Sequence, residues 1–352
     1  LTIGIIKTDA QLRTPGAFPG SGSGEQPLVA ELKKQFNVLD VDPAQPIGAD
    51  YDVLLAVQPS SLGPQEMGHL VAAIRKGQPT AIFEDPFPLT SPAPGTDQPK
   101  QQGGQMPFMR QPPAPKGDLG ALWKLLGIRM AQLPAQRQGL GGAPSGGTTA
   151  IVWQDYTPHP EDGELQNEYV WVSPACDTAG VPLNEDEPIS SGLQKLLFLY
   201  PGAIEDIGTD IGRRFVPLVT MGRRTGTVRF DDCVTRNLFG QMDLRSRAQI
   251  KEFEKPTGDP YVLAAALRIE AELEPAAEDV SQSESERAAA IKVVVVSDMD
   301  ILAGVFFLLR ERASFFGDRF AKWQVDNVPF VLNILDDLAE DTRFIDIRKR
   351  RP

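Results

Sequence analysis

Residues 293–302 read VVVVSDMDIL. Four β-branched residues favour an extended strand, and a Ser followed by two aspartates one residue apart ends it. A run with no polar alternation suits a strand buried on both faces, which a parallel sheet covered by helices provides. Residues 53–57, VLLAV, have the same texture. Together they predict a parallel α/β sheet rather than a half-wet antiparallel one.

Working outward, residues 2–9 (TIGIIKTD) read as a buried strand, and residues 26–36 (QPLVAELKKQF) place Leu28, Val29, Leu32 and Phe36 at helical spacing. NVLDVD and YDVLLAVQP follow as strands. GPQEMGHLVAAIRKG is an amphipathic helix with Pro64 at its start and Gly77 past its end, and PTAIFEDP is a further strand. The predicted order is β-α-β-β-α-β. After VVVVSD come a helix over 301–312, a second with the stripe Val331, Ile334, Leu335 and Leu338, and a closing strand, RFIDIR.

The middle of the chain differs. Residues 86–117 and 133–149 are crowded with Pro, Gly and Gln and are expected as long surface excursions. Between them GDLGALWKLLGIRM reads as a helix with Gly127 near its end. From Thr149 to Leu273 the predicted strands are TAIVWQDY, EYVWVSP, LQKLLFLYPGAIE, RFVPLVTMG, GTVRF and YVLAAALRIEAEL. The last also has helix-forming Ala and Leu, but its position between turn signals suits a strand. This gives an α/β domain from 1–135 plus 285–352 and a strand-rich insertion over 149–284, joined by a charged stretch, EPAAEDVSQSESERAA.

A chain of 352 residues with 41% hydrophobic content buries a sizeable core in one large domain or two intimate ones. The net charge of -12 argues against a nucleic-acid partner, which needs a dense Lys/Arg surface. Cys176 and Cys233 form no CxxC or Cys/His spacing, so neither a disulfide framework nor a zinc site is expected. No run of eighteen apolar residues occurs. Leu1 opens directly into a strand pattern without initiator Met or signal-peptide features, as expected of a segment excised or processed from a longer polypeptide.

Four strand ends collect polar residues: Asp9, Ser60, Glu84 with Asp85, and Ser297 with Asp298 and Asp300. Ligands of open parallel sheets bind at the carboxyl ends of strands, so these residues, with Asn327 on the following helix, are the ligand-binding candidates. One reading makes Asp298 and Asp300 Mg²⁺ ligands with Asp9 or Asp85 opposite. The other makes Asp298 a turn former or helix N-cap. The second is preferred, because Asp-x-Asp is common and no phosphate-cradling Gly-rich loop accompanies it.

Nucleophilic catalysis needs a base beside its nucleophile. His69 and His159 are the only histidines, and surface or capping roles are expected for both. No G-x-S-x-G or G-x-C-x-G elbow exists. Cys176 and Cys233 read as structural thiols. GSGSG at 20–24 lies about ten residues past the first strand, too far for a dinucleotide fingerprint. Among four tryptophans, Trp153 and Trp171 are the carbohydrate-stacking candidates, with core packing the plainer alternative. No catalytic residue and no resident cofactor are expected.

In order, YDVLLAVQPSSLGPQEMGHLVAAIRKGQPTAIFEDP, LQKLLFLYPGAIE, KVVVVSDMDIL, DNVPFVLNILDDLAED and FIDIRKR resemble the auxiliary, substrate-binding-like proteins of uncharacterised ABC-type transport systems, a family that includes the gliding-motility ABC-transporter component. The resemblance implies a sheet similar to that of class I glutamine amidotransferases or flavodoxins, shared with a domain of an intraflagellar-transport subunit, without the amidotransferase nucleophile. It also implies a place outside the cytoplasmic membrane, tethered by flanking transmembrane helices, beside an ABC permease and ATPase. The chain departs from the family by lacking those helices and by its Pro/Gly insertions and charged linker. Arg348-Lys349-Arg350-Arg351 fits a juxtamembrane position as well as it fits a solvated tail. The expectation is a non-enzymatic binding or interaction module recognising a saccharide, a peptide or a membrane subunit. The alternatives are a metal-dependent hydrolase or transferase on Asp298, Asp300, Asp9 and Asp85, a degenerate amidotransferase-like hydrolase, and a scaffold without small ligand.

Overall fold

The computed structural model describes residues 1–13, 26–100, 112–134, 148–160, 165–176, 181–210, 212–236, 242–271, 289–312 and 323–348. The GSGSG loop, the charged stretch 274–289 apart from residue 289, most of 133–149, residues 101–111, and Lys349, Arg350 and Arg351 lie outside them.

The first part alternates as predicted: β1 (Thr2–Ile6), α1 (Pro27–Leu32), β2 (Asn37–Val41), β3 (Val53–Val57), α2 (Pro64–Arg75) and β4 (Thr80–Phe83), with α3 (Leu119–Leu126) beyond the Pro-rich segment. Strands then dominate: β5 (Ile128–Met130), β6 (Gln132–Leu133), β7 (Thr148–Thr149), β8 (Ile151–Gln154), β9 (Tyr169–Val172), β10 (Leu196–Leu199), β11 (Ile204–Asp206), β12 (Arg213–Thr220) and β13 (Thr225–Val228). Short α4 (Phe230–Cys233), β14 (Val234–Arg236), β15 (Met242–Leu244), α5 (Arg247–Ile250), β16 (Lys255–Pro256) and β17 (Val262–Ile269) follow. The chain returns through β18 (Ile291–Val296), α6 (Gly304–Arg312), α7 (Asn327–Leu338) and α8 (Ile345–Arg348).

The central sheet runs β2-β1-β3-β4-β18-β17-β11-β5, with β12 also on β17. The first five strands are parallel, in register Ile3↔Val53, Leu54↔Thr80 and Val294↔Ala81. β17 then reverses direction against β18 and carries β11 and β12 antiparallel on its far side. The sheet is therefore mixed, and the strand-rich stretch contributes strands to it.

Alternate residues of β3 explain the apolar run. Val53, Leu55 and Val57 join the cluster containing Leu28 and Leu32 of α1 and Val331 and Ile334 of α7. Leu54 and Ala56 join the opposite cluster with Met67, Leu70 and Ile74 of α2 and Leu122 and Leu126 of α3. Each fully buried aliphatic side chain contributes about 1.5–3 kcal/mol over its exposed state. α3 stops because Gly127 takes φ +65, after which Ile128 turns into β5.

Two sequence expectations are corrected. RFIDIR forms no strand: Thr342–Phe344 is a 3-10 turn leading into α8, and the Asp341 side chain accepts from the Arg343 N–H. Only Ile345 of its apolar residues is buried, while Phe344 and Ile347 stay exposed, so no alternating face meets a sheet. LQKLLFLYPGAIE is two strands, because Tyr200 adopts φ +52 before Pro201 and Gly202. β10 pairs with β9 in a separate ladder, and β11 enters the central sheet. Among the described residues no helix is long and apolar enough to cross a membrane.

Candidate functional site

The parallel strands deliver their carboxyl ends to one edge. β3 ends at Gln58, a non-glycine residue in the left-handed region (φ 54, ψ 54), and the chain turns at once into a 3-10 turn, Pro59–Ser61, and then α2. In hydrolases this sharp strand–turn–helix presents a nucleophile. Here the residue is an amide. Its Oε1 accepts from the Asp85 N–H at 3.0 Å, and its Nε2 donates to Asp85 O and Pro94 O, both at 2.9 Å. Gln58 thus stitches the β4 end and the following loop to β3. In the sequence its signal is a polar residue between VLLAV and a Pro-led helix, at one of the polar strand ends.

Beside it, Glu84 is fully buried. Its carboxylate accepts from the Ser60 N–H at 3.0 Å and the Thr96 hydroxyl at 2.6 Å. Burial raises its pKa against these hydrogen bonds and the attraction of Lys116, and burial lowers that of Lys116. Lys116 donates to Thr96 O at 2.6 Å, a partner the sequence did not flag. Ser297 donates to Gly202 O (2.9 Å) and Leu263 O (3.0 Å), and Asn327 makes a reciprocal pair with the Leu197 backbone.

Asp85, Asp298 and Asp300 converge, with one oxygen from each within 4.8 Å of the others, and all three are buried. Every carboxylate oxygen is engaged. Asp85 accepts from Phe87 N and Met299 N. Asp298 accepts from Leu199 N and Asp300 N, each at 2.6 Å. Asp300 accepts from Leu89 N, Thr90 N and the Thr90 hydroxyl at 2.7, 2.9 and 2.5 Å. Burial, then mutual repulsion, raises Asp85 and Asp298 well above the carboxylate range, and burial lifts Asp300 to about 6. Three carboxylates are a donor set for a hard cation. With every oxygen already accepting from an N–H or O–H donor, these three fit that role poorly; they tie β4, β18, β10 and the 87–90 loop into one knot.

Above the knot lies an open cleft of about 1020 Å³. Asp9, Phe87, Leu89, Lys100, Phe230 and the whole of β15 line it. Asp9 is the one rim candidate in the cleft wall, and it pairs with Lys100 at 3.1 Å. Ser60, Glu84, Asp85, Ser297, Asp298, Asp300 and Asn327 lie beneath the surface.

Trp153 and Trp171 pack in the core at 5% and 1% exposure. Trp153 lies over Gly226, where an added Cβ would stand 2.4 Å from the indole. Trp171 meets His159 and Trp323 edge-on, each at 5.2 Å between centroids. His159, expected at the surface, is buried there at 7% exposure, while His69 meets Pro43 O at 2.8 Å. Both thiols are buried, and burial raises their pKa. Arg348 turns inward to Asp336 at 2.5 Å, so the first residue of the basic cluster is an internal anchor between α7 and α8.

A two-faced α/β sheet with a cleft at its carboxyl edge defines the class. The chain belongs to the family described as ABC-type uncharacterized transport system, whose profile matches residues 1–133 and 155–334. The family is one of auxiliary components of such systems. No curated protein matches it. Among solved structures it is similar to the exo-beta-1,4-mannosidase Op5Man5 from Opitutaceae bacterium strain TAV5, at 12% identity and TM-score 0.31 over 91% of this chain. The chain spans 34% of that enzyme's length, and so slight a likeness transfers neither fold nor activity.

Proposed function

We propose that the chain is a non-catalytic binding module, on the extracytoplasmic side of the membrane, that holds a saccharide or peptide ligand in the cleft and works beside the ABC permease and ATPase subunits. The observation that carries this is Gln58: the turn where an attacking group would stand holds a fully hydrogen-bonded amide, next to an open cleft of ligand size. The fold reading consistent with it is a flavodoxin-like or class I glutamine-amidotransferase-like core, because β2-β1-β3-β4-β18 follows the strand order of that class. The location rests on the family resemblance, in which flanking membrane helices tether the domain.

The competing reading is a metal-dependent hydrolase or transferase, favoured by the convergence of Asp85, Asp298 and Asp300. The purified chain separates the two. Oligosaccharide and peptide panels are screened by thermal shift, in parallel with glycosidase, phosphoesterase and amidase assays with and without Mg²⁺ or Mn²⁺. A bound ligand at a hundred times its Kd stabilises the fold by about 2.7 kcal/mol. Such a shift without turnover is expected. Divalent-dependent turnover, lost in an Asp298→Ala variant that still unfolds cooperatively, would replace the binding module with an enzyme.

A further inference from the structure

β14 and β15 pair antiparallel as Val234↔Leu244, Thr235↔Asp243 and Arg236↔Met242. The Arg245 N–H donates to Cys233 O at 2.9 Å, which makes Cys233 and Arg245 a hydrogen-bonded pair. Antiparallel ladders alternate, so Thr235 and Asp243 are the next such pair. Met242 and Leu244 therefore turn their N–H and C=O groups away from β14. Among the described residues β15 pairs with no other strand, and these groups form an open edge. All three β15 residues are exposed and all three line the cleft.

An open edge is a template for one more extended chain, which takes affinity from main-chain hydrogen bonds and specificity from alternate side chains. The side chains here are distinctive. Met242 and Leu244 share one face, 50% and 45% exposed, and Phe87 and Phe230, in tilted ring contact at 4.7 Å, stand in the same cleft wall. Asp243 faces the other way and makes no ion pair among the described residues, whereas the cleft's Asp9 is neutralised by Lys100. A cross-strand neighbour of Asp243 is favoured if it is cationic. A saccharide has no row of alternating N–H and C=O groups to match such an edge.

We propose that β15 is a strand-addition site for an extended peptide segment in which a Lys or Arg, set opposite Asp243, is flanked by apolar residues that seat against Met242 and Leu244. This deepens the binding reading above and rests on it.

The test is fluorescence anisotropy of the full chain with a labelled hexapeptide of alternating Val and Lys. Saturable binding is expected, weakened roughly tenfold by N-methylating the peptide amides that face β15, by Met242→Pro, and by Asp243→Lys, which should come to prefer a Val/Glu hexapeptide. Met242→Pro removes an outward N–H and leaves the β14 ladder its bonds. Asp243→Lys changes an exposed side chain and keeps the test valid should the Pro variant fail to fold. Equal binding of the N-methylated peptide with an unchanged charge preference would overturn strand addition and leave cleft binding standing. An oligosaccharide that raises stability where no peptide binds would overturn the peptide class alone, and silence from both would remove the binding reading too. Self-association of the chain that Met242→Pro abolishes would assign the edge to a second copy and overturn the proposal.

Discussion

The acid knot under the cleft and the β15 edge beside it are opposites. Asp85, Asp298 and Asp300 have the residue types of a catalytic site but are buried and saturated with hydrogen bonds. Met242, Asp243 and Leu244 belong to no motif but present open backbone groups and exposed side chains to the cleft. The difference teaches that residue type marks where a strand end must be stitched together, whereas accessibility marks where a ligand can be met. The knot should govern stability, and the edge should govern binding.

The largest break in that division comes from Asp298→Ala. It orphans the Leu199 and Asp300 N–H groups and separates β18 from β10. Leaving two buried donors unpaired costs about 4 kcal/mol, read as a lower urea midpoint at unchanged slope. An Asp298→Ala protein as stable as the parent would mean that the knot is not structural.

Next is pH. Glu168 is 1% exposed, and neither carboxylate oxygen reaches a partner from another residue. Burial raises it to about 7, with Glu254 adding repulsion and Arg247 opposing. Tyr169, Tyr200 and Cys233 also face it. Its folded pKa lies above its unfolded one, so the folded state holds the extra proton. Its contribution to stability is complete below about pH 4.3 and falls away as pH rises through about 7. Glu168→Gln should match the parent at pH 4 and exceed it by roughly 3 kcal/mol at pH 8. Parallel stability–pH curves for the two proteins would contradict this.

The sequence disclosed the parallel half of the fold because physics there is local: buried runs mark β3 and β18, and Pro64 with Gly77 brackets α2. It did not disclose β17 reversing against β18, since an apolar strand reads alike in either direction. Nor did it separate β10 from β11, because the break is the backbone conformation of Tyr200 rather than its side chain. The strand ends were found as a group, but their burial depends on Leu89, Thr90 and Leu199 arriving from elsewhere in the chain. The cleft was invisible for the same reason. Its walls come from the loop after β4 and a hairpin some 150 residues later, which no short-range pattern connects.

A smaller effect sharpens the contrast between buried and accessible surface at Trp153. Its indole occupies the space over Gly226, whose Cα faces the ring and the Lys255 carbonyl. Gly226→Ala would place a Cβ 2.1 Å from that carbonyl and force β13, β16 or the ring to shift. Overpacking of this kind costs about 2 kcal/mol, and the tryptophan emission should move to the red as the ring loosens. An unaltered melting temperature and spectrum would mean that Trp153 has room to move and is not locked into the core.

The smallest stability effect is expected at the edge itself. Met242→Ser and Asp243→Lys alter exposed side chains and leave every β14–β15 backbone bond in place, so each should change unfolding free energy by no more than about 0.5 kcal/mol. Chemical denaturation checks this directly. A loss of several kcal/mol would show that β15 is held in the fold through its side chains, and the division of labour between a stabilising knot and a binding edge would fail. A near-zero change together with altered ligand affinity separates the two regions cleanly, because a group that supports the fold cannot be altered without moving the unfolding curve.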